Sequence, residues 1–160
     1  MDDELELTAY HEAGHAVAAA ILGGRVTRIT LEPEDDDRYG DTRIEWPLAG
    51  VSRKEQIVRE IRTLLAGPVA ESIYAGSDYE LRITRESSVD WLRAAEFASS
   101  LFTDKPKRTA YLAIIADELK EDLRQESIWA ALAALSDELL AHETIEQHQI
   151  EEVLGFWLSR

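Results

Sequence analysis

The stretch LTAYHEAGHAVAAAILGG, residues 7–24, constrains this chain more than any other. Its residues favour one helix from about Leu7 to Leu22. Gly23 and Gly24 follow, and glycine accepts the left-handed conformation of a helix C-cap. Two histidines and a glutamate, His11, Glu12 and His15, lie inside this helix. Gly14 stands between the histidines, although glycine costs about 1 kcal/mol of helix propensity against alanine. A close helix or backbone contact at that point would be a reason to keep it.

The rest of the chain reads as mostly α with one small sheet. RVTRITLEP, after the glycines, is a partly alternating strand, and TRIEW is a return strand with Ile44 and Trp46 on one face. EDDDRYGD between them is a charged loop or hairpin tip. Ser52 and Glu55 have capping-box spacing, and Ile57, Ile61, Leu64, Leu65 and Val69 carry a second helix to about Gly76. Pro68 lies within it and predicts a kink, because proline removes a donor and clashes one turn back. DYELRIT is weakly patterned. A third helix starts at Ser87 or Ser88, and Lys105–Pro106 marks a turn. From Thr109 to His142 the sequence predicts one long helix, or two with a break near Ser127. Thr144 is placed to cap a last helix through Trp157. No repeat or linker divides the chain, so residues 1–160 read as one domain.

Composition excludes several classes of function. The 160 residues are 45% hydrophobic, which suits one domain with a real core. No apolar run approaches the roughly 18 residues of a membrane span. AVAAAIL lacks the basic flank and cleavage site of a signal peptide. A soluble, cytoplasmic protein is the expectation. There is no cysteine, so disulfides, thiolate metal sites and a cysteine nucleophile are excluded. The net charge of −15 repels phosphate backbones and argues against nucleic acid as a partner. Otherwise the acidity speaks for solubility and says little about substrate.

His11 and His15 are four residues apart, which on a helix puts both imidazoles on one face. Two such nitrogens can bind one zinc ion at about 2.0–2.1 Å. Glu12, one residue on, can reach a water on that ion without filling its open position, and can act as general base. The bland alternative is a chance H-E-x-x-H. A catalytic zinc wants three protein ligands. His142 and His148 lie near the C-terminus among glutamates and read as solvated surface residues, so the third ligand should be a carboxylate.

TAYHEAGHAVAAAILGG resembles the start of the peptidase domain of the FtsH family, the membrane-bound AAA+ zinc proteases. LLAGPVAESIYAG resembles that family's second helix, VDWLRAAEFA its N-D-L-x-x-A-T-x-x-A block, and LSDELLAHETIEQHQIEEVL its closing block. The four blocks stand in the family's order and cover most of the chain. The resemblance implies a helical zinc-peptidase domain with a small β-hairpin or sheet after the first helix. It implies Zn2+ held by His11, His15 and Asp90, with Glu12 as the catalytic base. Asp90 would also serve as an ordinary first-turn helix acid. Glu71 falls on the glutamate of the family's second helix; it would orient a ligand histidine from behind, or simply form an ion pair. TRESSVD departs from the family pattern, with Val89 in place of an asparagine and one apparent extra residue, so Glu86 or Asp78 could compete as ligand. Pro68 replaces a basic residue.

The chain has no G-x-x-x-x-G-K-[ST] motif and no membrane anchor. The leading expectation is a stand-alone zinc metallopeptidase acting on unfolded or flexible polypeptides. Two others stand beside it: a non-catalytic module that binds metal or a protein partner, and a peptidase subunit served by a separate ATPase. Family peptidase domains form hexameric rings, so a homo-oligomer is a further candidate assembly. RVTRITLEP is expected near the cleft, and as an edge strand it would accept an extended peptide.

Overall fold

A computed structural model describes residues 3–32, 40–76 and 85–158, except the side chains of residues 3 and 85–88. Helix α1 (Asp3–Ile21) leads through Gly23, at φ +94°, into strand β1 (Arg25–Thr30). β2 (Asp41–Glu45) returns antiparallel to β1, pairing Ile44 with Val26 and Thr42 with Ile29 across a bulge. Four helices follow: α2 (Arg53–Ala75), α3 (Arg85–Ala98), α4 (Lys105–Leu123) and α5 (Glu126–His142). A short strand β3 (Thr144–Glu146) and helix α6 (Gln147–Trp157) complete the order. The architecture is mostly α with a small three-stranded antiparallel sheet.

α1 lies at the centre, packed against α2, α5 and the sheet. Every residue from His11 to Ala19 is buried, so the helix has no solvent face through its middle. Alanines and Gly14 let neighbours come close. A Cβ on Gly14 would stand 2.6 Å from both the Ala66 carbonyl oxygen and the Ala70 Cβ of α2. Backbone against backbone cannot yield cheaply, and this contact explains the glycine inside a helix. Gly14→Ala is expected to destabilise the protein by about 1–3 kcal/mol, against a gain of about 1 kcal/mol in helix propensity. Chemical denaturation reads the sign directly; a more stable variant would mean that α1 and α2 can separate at no cost.

Local signals hold at several helix ends. Ser52 Oγ accepts from the Glu55 N–H at 3.1 Å, and Gly76 closes α2 at φ +72°. α2 runs as one helix through Pro68. Lys105 and Pro106, read as a turn, are instead the first residues of α4, where proline's missing N–H costs nothing. The interruption in the long helical stretch falls between Leu123 and Glu126, slightly before Ser127.

The C-terminal segment differs more. Glu143, at φ +65°, stops α5, and Thr144 continues as β3 rather than as a cap. β3 pairs with β1, and the Thr30 and Thr144 hydroxyls lie 2.7 Å apart. The sheet order is therefore β2-β1-β3, with β1 in the middle. The condition under which RVTRITLEP would accept a peptide, an edge position, is therefore not met: β1 pairs with β2 on one side and over Arg28–Thr30 with β3 on the other. A three-residue strand has too little periodicity to be read locally, and only its partner reveals it. The charged loop (33–39) and DYELRIT (78–84) lie outside the described residues.

Candidate metal centre

α1 carries His11, Glu12 and His15 into the core, where each needs a partner to offset burial. α2 and α3 supply them for the histidines, and β2 for Glu12. His11 Nδ1 lies 3.0 Å from Glu71 Oε1, and His15 Nδ1 lies 2.7 Å from the Thr63 carbonyl oxygen. A carbonyl only accepts, so His15 Nδ1 carries the proton and donates it. The Glu71 carboxylate likewise draws a proton to His11 Nδ1. Both Nε2 atoms are thereby turned toward one point.

Asp90 of α3 meets them there. Its Oδ2 is 2.8 Å from His11 Nε2 and 3.1 Å from His15 Nε2, and the two Nε2 atoms are 3.1 Å apart. These three distances form nearly one face of a tetrahedron. Ligands held tetrahedrally at zinc bond lengths would stand about 3.3 Å apart, so the donors fit such an ion with small outward shifts. Donor chemistry agrees: two imidazoles and a carboxylate suit zinc.

Glu12 also reaches within 4.8 Å of both histidine donors. Its Oε1 accepts from Thr42 Oγ1 at 2.6 Å, so β2 aims this carboxylate. Backbone at Gly40 closes on the same side chain: a Cβ there would stand 2.7 Å from Glu12 Cγ. Gly67 does the same for the rings, since any Cβ at that place on α2 would strike His15.

The electrostatics match this packing. Burial would lower the His11 pKa, but hydrogen bonds to Asp90 and Glu71 overcome it and hold the ring well above its usual value. His15 is raised too, with the Asp90 charge outweighing burial. Burial works against ionised Asp90, yet the two histidines keep its carboxyl well below the ordinary range.

The donors open on a cleft of about 220 Å³ lined by Glu12, His15, Thr42, Ile44, Asp90 and Arg93, among others. His142 and His148 are exposed, far down the chain on α5 and α6, with side chains 53% and 92% accessible. The side chains of Asp78 and Glu86 lie outside the described part of the structure. Sequence reading did not single out Thr63, Thr42, Gly40 or Gly67. Only Gly67 left a trace, as a glycine beside a proline within a helical pattern.

Fold and donor set together define a class: a mostly helical domain with a candidate mononuclear metal centre on its central helix. The chain belongs to peptidase family M41, whose family model matches residues 1–104, a span that includes His11, Glu12, His15, Glu71 and Asp90. It is 33% identical over 98 residues to ATP-dependent zinc metalloprotease FtsH 1 of Alkaliphilus metalliredigens, covering 60% of this chain and 16% of that protein. Over 196 residues it is 26% identical to ATP-dependent zinc metalloprotease FtsH 4 of Synechocystis sp., covering 96% of this chain and 30% of that protein. The Mycoplasma genitalium ATP-dependent zinc metalloprotease FtsH is 31% identical over 107 residues, or 64% of this chain and 14% of its own length. The chain therefore spans less than a third of each of these relatives. Among the described residues no helix is long and apolar enough to cross a membrane.

Proposed function

We propose that this domain is a zinc metallopeptidase acting on unfolded or flexible polypeptide, with His11, His15 and Asp90 as the metal ligands and Glu12 as general base. The observation that carries the reading is the convergence of both histidine Nε2 atoms and Asp90 Oδ2 to within 3.1 Å of one another, with the Glu12 carboxylate alongside. Zinc, when bound, supplies a Lewis acid that brings the pKa of a coordinated water to about 7. Glu12 takes the proton of the attacking water and delivers it to the leaving amine. Thr42 aims that carboxylate, while Glu71 and the Thr63 carbonyl hold the imidazoles in the tautomer that binds metal.

Substrate recognition follows from the sheet. Among the described residues β2 pairs with β1 on one side only, and its Thr42 touches Glu12. An extended segment lying along the outer edge of β2 would gain main-chain hydrogen bonds whatever its side chains. Folded proteins do not offer such a segment. Recognition of that kind reads the backbone of an extended segment, so the substrates assigned to this domain are unfolded or flexible polypeptides. The zinc-loaded protein should cleave casein, lose that activity to a chelator and regain it with zinc. It should spare a stably folded protein until that protein is denatured. Chelator-insensitive cleavage, or equal cleavage of folded and unfolded forms, would refute the reading.

A further inference from the structure

The metal cleft does not end at the ligands. Along α2 it runs from Thr63 through Glu60 to Ile57, and along α3 from Asp90 to Phe97. Trp46 and Glu60 line both the metal cleft and a second hollow of about 180 Å³ beyond it, so the two adjoin. Apolar side chains from three directions line the second hollow: Trp46 and Leu48 after β2, Ile57 of α2 and Phe97 of α3. Arg53, Gln56, Arg59, Glu60 and Ser100 form its polar rim. Leu48 is 60% exposed and Phe97 37%, while Ile57 forms a buried floor. Arg59, which also lines the hollow, lies over the Trp46 ring with its guanidinium carbon 5.7 Å from the ring centroid, and its Nη1 reaches the Pro47 carbonyl at 3.5 Å. The indole is thus a fixed wall.

We propose that this hollow is a substrate subsite that takes an aromatic or large aliphatic side chain about four residues from the bond being cut. The proposal rests on the peptidase reading and adds a side-chain requirement that edge-strand pairing alone does not supply. Thr42, Ile44 and Trp46 alternate along one face of the strand and all line the metal cleft. A chain laid along β2 with its cleaved bond near Thr42 has its fourth neighbour opposite Trp46, about 13 Å away at strand spacing. Size selects one occupant. An enclosed apolar cavity of about 150 Å³ holds benzene, so this hollow admits one large side chain and is too small for a helix.

The test starts from the zinc-loaded protein and unfolded casein, with cleavage sites mapped by mass spectrometry. Synthetic peptides spanning one mapped site then carry Phe or Ala at the third to fifth positions on either side of the bond. The expected result is a preference for Phe of about tenfold in kcat/KM at one of these positions, on one side only. In Phe97→Ser and Leu48→Ala that ratio should fall toward one. Zinc-dependent cleavage that is indifferent at all these positions would overturn the subsite while leaving the peptidase reading intact. A preference that persists in both variants, with melting temperatures unchanged, would overturn it too. Absence of chelator-sensitive cleavage in the parent protein would remove the peptidase reading and this subsite with it.

Discussion

Glu12→Gln is expected to keep its zinc and lose hydrolysis by about two to four orders of magnitude, the usual effect of removing general acid–base help. Glutamine keeps the shape of the side chain, so the packing against Gly40 survives. Its amide oxygen can still accept from Thr42, whose hydroxyl now bonds Glu12 Oε1. What is lost is a group able to accept a proton from water at neutral pH. The measurement pairs metal analysis with casein turnover. Activity retained at parental level, with zinc present, would mean that Glu12 only fills space or that another base acts.

Replacing His11, His15 or Asp90 by alanine is expected to abolish tight zinc binding, from about one ion per chain to none after dialysis. Each change removes one of three donors that a catalytic zinc site needs. Either histidine change slightly raises helix propensity, so metal loss could not be blamed on a broken α1. Asp90→Ala leaves His11 Nε2 and His15 Nε2 facing each other at 3.1 Å without the carboxylate that binds both. His11 and His15 sit on α1 and Asp90 on α3, with α2 bracing the rings, so an ion held by all three would also clamp the fold. A chelator should therefore lower the melting temperature of the parent protein and leave the three variants unmoved. Unchanged zinc stoichiometry in any of them would exclude that residue as a ligand.

Local chemistry was readable without a structure. The spacing of four between His11 and His15 is a property of one helix, and so is the stop at Gly23. Ser52, Gly76 and the helical periodicity of α2 act over one or two turns, which is why they appear in the residues themselves. Asp90 was reached by resemblance, because 75 residues separate it from His15 and no short-range pattern joins them. Thr42 carried no signal at all: a threonine in a strand is ordinary until the strand is laid against α1. The same holds for Thr63, whose contribution is a backbone carbonyl and hence independent of its side chain.

The sheet shows where local reading stops. β1 was recognisable as a strand, yet its position in the middle of the sheet depended on Thr144–Glu146, more than a hundred residues away. Strand pairing is a contact between segments, and neither segment encodes its partner's identity by periodicity alone. By itself, the sequence determined that one helix would carry two histidines and a glutamate on adjoining faces, because helix geometry is set by bonds between near neighbours. Only the tertiary structure decided that Asp90 joins them, that Glu71 and Thr63 turn the rings, and that β1 lies between β2 and β3. Those outcomes come from packing α1 among α2, α3 and the sheet, where close contact at Gly14, Gly40 and Gly67 leaves the side chains one arrangement.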